Sequence, residues 1–203
     1  MMVNIYKDDL PADIDLGKTV AIDTETMGLK THRDRLCLVQ LSSGDGNAHL
    51  VQIANPIQPN PVLSALLANP EVTKLFHFAR FDLAALMHYV GPVKGDIYCT
   101  KIASKLVRTF TDRHGLKELC RELLQIDISK QQQSSDWGAD TLTSDQQNYA
   151  AGDVLYLHAI RDKLSLMLER ENRMTQAKAC FDFLPMRAKL DLVGFDEVDI
   201  FHH

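Results

Sequence analysis

The chain has no CxxC pair. Its four cysteines, Cys37, Cys99, Cys120 and Cys180, are widely and irregularly spaced and have no close histidine, a pattern that suggests neither zinc nor haem and reads as buried thiols in a reducing compartment. No apolar run approaches bilayer length, and the opening MMVNIYKDDLPADIDLG carries charge where a signal peptide needs an apolar core. Cytoplasm is therefore the expected location, and a membrane is not an expected partner. Basic excess is missing as well: 27 Asp and Glu against 22 Lys and Arg leave a formal charge of -5, which excludes the global positive surface that supports salt-dependent binding along duplex DNA. Any nucleic acid has to be held locally. Glycine and proline, 10 and 7 in 203 residues, are too few for a collagenous or low-complexity chain, and 45% hydrophobic residues exclude a wholly disordered one. The terminal pair His202 and His203 is given no chemical role.

What remains is an ordinary globular composition at a length where one compact domain is expected, without an internal repeat. Residues 19–24 (TVAIDT), 35–41 (RLCLVQL) and 48–53 (AHLVQI) read as strands of an antiparallel meander. Asn60 and Pro61 open a helix bearing Val62, Leu63, Leu66 and Leu67 on one face, and Asn69 and Pro70 close it. A short strand at 74–78 (KLFHF) leads into a helix marked by Leu83, Leu86, Met87 and Val90 and stopped by Gly91 and Pro92. A brief strand at 95–98 and a helix at 101–107 follow, then a helical stripe from Leu116 to Leu124. Residues 131–140 (QQQSSDWGAD) read as a loop anchored by Trp137. Thr143 and Gln146 fit a capping box heading one long helix with Val154, Leu157, Leu164 and Leu168 behind it. Residues 177–190 are expected to form another helix, and the acidic tail beyond Gly194 is unassigned. Antiparallel strands followed by strand and helix alternation predict an α/β fold, a mixed five-stranded sheet flanked by helices on both faces.

Asp23 and Glu25 flank Thr24 at the end of the first of these strands, where the two-residue period places both carboxylates on one face. Standing alone, the pair has a second reading as a polar strand end facing water. Asp82 lies in the first turn of the helix after KLFHF, and Asp153 lies within the long helix four residues after Tyr149, one turn along the same face. A single buried carboxylate takes up a proton, whereas several that converge remain ionised when divalent cations compensate them. Oxygen-only ligands favour magnesium or manganese over zinc, and a pair of such ions can activate a water and stabilise the leaving oxygen of a phosphodiester.

The stretches AIDTETMGL around Asp23 and Glu25, KLFHFARFDLAAL around Asp82, and SDWGADTLTSDQQNYAAGDVLYL around Tyr149 and Asp153 resemble, in this order, the ribonuclease D group of DEDD 3'-5' exonucleases, over roughly residues 5–167. Tyr149, where another branch has histidine, marks the tyrosine subclass. The resemblance implies a ribonuclease H-like fold and one exonuclease domain over 1–203. In it Asp23, Glu25 and Asp153 hold the metal that carries the nucleophilic water, Asp23 bridges to a second metal, Asp82 binds that second ion, and Tyr149 orients the water. The implied cofactors are two divalent cations, Mg2+ or Mn2+, and the implied product is a nucleoside 5'-monophosphate. The long ribonuclease D proteins carry a further helical domain for which this chain has no room. That length and the HFARFD form of the second motif resemble the bacterial nanoRNase C group, which acts on very short RNA, dinucleotides in particular, and assembles into a ring of eight subunits built from dimers. Segment 170–203 and the Leu- and Met-rich stretch 164–174 could supply such contacts or finish the monomer core.

The resemblance also places Met27, Gly28 and Leu29 beside the terminal base, with Leu29 as a wedge. Read from the residues alone, Met27 and Leu29 are equally well core side chains and Gly28 a turn residue. His77 and Arg80 stand just before Asp82, where either could meet a phosphate or be structural. Arg108, Arg113, His114, Lys117 and Arg121 make a positive cluster from which Lys117 is the preferred phosphate contact, while Arg121 has Glu118 and Glu122 nearby to neutralise it. The expected activity is thus metal-dependent 3'-5' hydrolysis of short single-stranded RNA. A general ribonuclease D-like trimming enzyme and a DNA 3'-5' exonuclease share the same motifs, because the acids do not read the 2'-OH, and a non-catalytic scaffold is the remaining alternative.

Overall fold

The apolar run at 36–42 is buried along its whole length, which places it inside a sheet covered on both faces. The structure is a computed structural model and describes residues 2–129, 131–132 and 134–202, so that His203 lies outside the described residues. The strands are β1 (Val3–Lys7), β2 (Thr19–Thr26), β3 (Leu36–Ser42), β4 (Ala48–Gln52), β5 (Thr73–Phe76) and β6 (Ile97–Cys99), in the spatial order β1-β4-β3-β2-β5-β6. β2, β3 and β4 form the expected antiparallel meander, and β5 and β6 continue it in parallel from β2. Among the described residues the sheet has six strands, not five, because β1 adds to the edge in parallel with β4.

Helices α1 (Pro61–Ala68), α2 (Ala79–Tyr89) and α3 (Thr100–Val107) follow the strands in alternation, and α4 (Leu116–Leu119) runs on into a π-helical turn at Cys120–Leu124. The capping box holds: Thr143 and Gln146 satisfy each other's backbone N–H groups at the head of α5 (Ser144–Leu155). The long helix expected there is two helices, α5 and α6 (Leu157–Arg170), broken at Tyr156. The cause is tertiary. Ala151 and Val154 pack with Ala21 and Leu75 in a cluster on one face of the sheet, whereas Ile160, Leu164 and Leu168 belong to the larger core with α1, α2 and α3. One straight rod could not serve both, so the chain turns between them.

α7 (Met174–Leu190) buries Ala177, Phe181, Leu184 and Ala188 in that larger core, so this part of segment 170–203 completes the fold of the chain itself. Trp137 is buried and its ring lies 5.9 Å from that of Tyr149, so the anchor expected of it is present. Cys37, Cys99 and Cys120 are buried as expected, but Cys180 on α7 is exposed. No helix among the described residues is long and apolar enough to cross a membrane.

Candidate active site

Along β2, Val20 and Ile22 join the core beneath α1 and α2, while Ala21 joins the cluster beneath α5. The strand period then sends Asp23 and Glu25 toward α5 and Thr24 toward α2. From the α5 side Asp153 meets the pair: one carboxylate oxygen from each of Asp23, Glu25 and Asp153 lies within 4.8 Å of the others. From the other side the Thr24 hydroxyl donates a 2.7 Å hydrogen bond to Oδ1 of Asp82, which is buried at the start of α2. The four acids, Tyr149, His77, Phe78, Lys101 and Lys117 line one cleft of about 360 Å³. It opens beyond the carboxyl ends of β2 and β5, where open α/β sheets place their ligands.

Burial raises every one of these acids, and repulsion between neighbours adds to it for Asp23, Glu25 and Asp153. Burial, then Asp82, Asp153 and Glu25, hold the Asp23 carboxyl well above the usual range. Burial reinforced by Asp153 and Asp82 pushes Glu25 up to about 9. Asp153 rises to about 7 through burial and the charge of Asp82, and Asp82 rises to about 7 through burial against the pull of its Thr24 hydrogen bond. The Tyr149 phenol is raised by burial and by Asp153, Glu25 and Asp23, so it keeps its proton and presents an O–H donor. An all-oxygen donor set whose members repel one another fits a hard divalent cation, which compensates the charge that keeps them protonated.

A family model described as 3'-5' exonuclease matches residues 8–169. The chain belongs to the 3'-5' exonuclease family. Ribonuclease D of Gluconacetobacter diazotrophicus is 37% identical over 155 residues, which are 76% of this chain and 39% of that protein. The chain thus spans about two fifths of the length of the curated relatives it matches. Among solved structures, Brucella melitensis NrnC with bound Mg2+ superposes with a TM-score of 0.95 at 53% identity, covering 100% of both chains. Brucella melitensis NrnC bound to pGG gives a TM-score of 0.96 at 54% identity over 100% of this chain and 99% of that one. The exonuclease is thus of the ribonuclease D and NrnC type, and its α/β architecture is that of this group.

The residues expected around the substrate of this exonuclease divide. His77 and Lys117 line the cleft, and His77 Nδ1 lies 2.9 Å from the Thr100 hydroxyl. Arg80 does not line this cleft but the groove beside it, and its guanidinium makes a two-pronged pair with buried Asp191, at 2.6 and 2.8 Å, and a further bond to the Asp196 carbonyl. A partner 111 residues away in sequence leaves no local signal. Arg108 is buried against Glu122, Ser104 and the Arg113 carbonyl, so it does not belong to a surface cluster, and Arg121 pairs with Glu122.

Met27 and Leu29 are 53% and 86% exposed, which removes the reading of them as core side chains and leaves both free to touch a ligand. Neither lines the cleft itself. Gly28 has a local reason in addition: a Cβ there would stand 2.3 Å from a carboxylate oxygen of Asp34, which is held by the Lys30 N–H. Sequence reasoning missed Thr24 as the partner of Asp82, Gln40 as a 3.4 Å neighbour of Asp23 across the β2 and β3 pairing, and Phe78 and Lys101 in the cleft wall. The strand register would have revealed Gln40, and the quoted HFARFD motif contains Phe78.

Proposed function

We propose that the protein is a metal-dependent 3'-5' exoribonuclease that hydrolyses short single-stranded RNA, dinucleotides in particular, to nucleoside 5'-monophosphates. The observation that carries this reading is the convergence of the Asp23, Glu25 and Asp153 carboxylates within 4.8 Å beside Asp82 and Tyr149. Asp23, Glu25 and Asp153 would hold one divalent cation, and Asp82, with Asp23 shared, a second, with Mg2+ or Mn2+ the suited ions. Such ions supply an activated water and charge stabilisation at a scissile phosphodiester. Thr24 fixes one oxygen of Asp82, a residue of the cleft wall. Tyr149, protonated and backed by Trp137, donates from a fixed position one turn from Asp153.

Replacing Tyr149 by Phe removes that donor and little packing. At matched metal saturation the expected loss is in kcat, on the order of 100-fold, as for a positioned proton donor. Equal turnover would remove the role.

The short-substrate part of the reading is supported by the net charge of -5 and by pGG, the ligand of Brucella NrnC. Lys101 and Lys117 offer cations for few phosphates, not a track for many. The reading extends to a single exonuclease domain over 1–203, to a homo-oligomer, an octamer built from dimers, with contacts from segment 170–203, and to a cytoplasmic location. A time course with end-labelled RNA of two to about twenty nucleotides, with DNA controls and with or without chelator, tests the substrate assignment against length-dependent phosphate binding. Fastest cleavage of the dinucleotide to mononucleotides is expected. Faster trimming of the long RNA would favour a general ribonuclease D-like enzyme, and matched rates on DNA a proofreading-type exonuclease.

A further inference from the structure

Phe78 breaks two local rules at once. Its backbone is left-handed, with φ 67 and ψ 43, a region that bulky residues avoid, and it occupies the N-cap of α2, where Ser, Thr, Asp or Asn would cap the helix, without making a side-chain cap. Its ring is not buried in exchange: Phe78 is 49% exposed. Strain kept at a position with no packing return is a mark of function. The ring stands at the border of two concavities, the acidic cleft and a largely apolar groove of about 290 Å³ lined by Ile102, Phe183 and Leu184 with Lys101 and Lys105. The Lys101 ammonium lies 4.1 Å from the ring centroid, over one of its faces. Burial first, and then repulsion from Lys105 one turn along α3, lower the Lys101 ammonium, as expected of two cations gathered where an anion would relieve them.

We propose that Phe78 is the stacking platform for the nucleobase on the 5' side of the scissile bond, with Lys101 and Lys105 set for the phosphate of that same nucleotide. This rests on the exonuclease reading above and names the residues that grip the retained end of the substrate. The side follows from phosphate count. A 3'-terminal nucleotide has no phosphate beyond the scissile one, so a cation that lines the groove and not the acidic cleft, as Lys105 does, is of use to the nucleotide upstream. An aromatic face is suited to any base, and stacking on it is sequence-tolerant. The size of the groove fits the reading too, since about 290 Å³ lies near the lower limit of small-molecule sites and accommodates one nucleotide, not a strand. α7, which supplies Phe183 and Leu184, walls the far side of the groove.

The experiment compares pGG with an analogue whose 5' nucleotide lacks its base, on the wild-type chain and on Phe78→Leu and Phe78→Tyr. For the wild type, loss of the 5' base is expected to lower kcat/KM by about tenfold or more, within the range of base and aromatic stacking. Phe78→Leu keeps apolar bulk and loses the ring, so it should lower kcat/KM on pGG by a similar factor, mostly through KM, and should no longer distinguish the two substrates. Phe78→Tyr should restore the distinction. If Phe78→Leu and wild type lose the same factor on base removal, the stacking role is overturned and the exonuclease reading stands. A wild-type chain that discriminates by less than about twofold, below any stacking contribution, overturns it without any variant. Absence of pGG hydrolysis by the wild type would overturn both readings.

Discussion

Asp23→Asn is expected to lower turnover by on the order of 1000-fold or more while leaving the metal-free protein as stable as the wild type or more so. The first half follows from the position of Asp23, whose carboxylate is within 4.8 Å of both Glu25 and Asp153. Charge stabilisation by a bound cation is worth several kcal/mol at a transition state, and each 1.36 kcal/mol is about tenfold. The second half follows from electrostatics. Asp23 is held well above the usual carboxylate range by burial and by three neighbouring acids, so in the absence of a cation its charge opposes folding. The amide is nearly isosteric, removes that charge and still accepts from Gln40 Nε2 at its oxygen. Thermal melting in chelator should therefore stay level or rise, and the melting increment that Mg2+ or Mn2+ gives the wild type should shrink. Activity and stability moving in opposite directions is the signature to be measured. Near-normal turnover would remove Asp23 from the site, and a large drop in metal-free melting would mean that the carboxylate is structural.

The site was legible in sequence where local periodicity sufficed. A two-residue strand period put Asp23 with Glu25, a helical turn put Tyr149 with Asp153, and a capping box fixed the start of α5. Asp82 was legible as an acid in the first turn of α2, but its tie to Thr24 spans 58 residues and passes to the opposite side of β2. What failed in each case depends on contacts remote in sequence. β1 is a five-residue edge strand with partly exposed side chains, so its alternation is weak, and only pairing with β4 makes it a strand. The break at Tyr156 has no proline to announce it, since Ala151 and Ile160 separately fit one helical stripe and differ only in which cluster they enter. Arg80 and Arg108 read as free cations in the sequence, and their pairings with Asp191 and Glu122 are tertiary facts. Phe78 failed for the opposite reason: its sequence context predicts a strand end, whereas its strained backbone and exposed ring are visible only in three dimensions.

The acids also tie stability to pH in a direction opposite to that of salt-bridged carboxylates. Asp82 and Asp153 are pushed up to about 7 and Glu25 to about 9, all chiefly by burial. A carboxyl whose folded value exceeds its unfolded one binds protons more tightly when folded, so the stabilisation is complete below the unfolded value and is lost as pH rises through the folded one. Metal-free protein is accordingly expected to lose stability from about pH 5 upward, first through the range of Asp82 and Asp153 and then through that of Glu25, by several kcal/mol in total. A divalent cation reverses this, because it binds the ionised set and expels the protons. The melting increment from saturating Mg2+ should therefore be small near pH 5 and grow toward pH 9, with proton release detectable in a weakly buffered titration. Glu25→Gln should reduce the upper part of the pH dependence, to which Asp23 also contributes, and leave the part near pH 7. A Mg2+ increment that is flat from pH 5 to 9 would mean that these carboxylates do not hold the cation, and the chemistry proposed for the cleft would lose its basis.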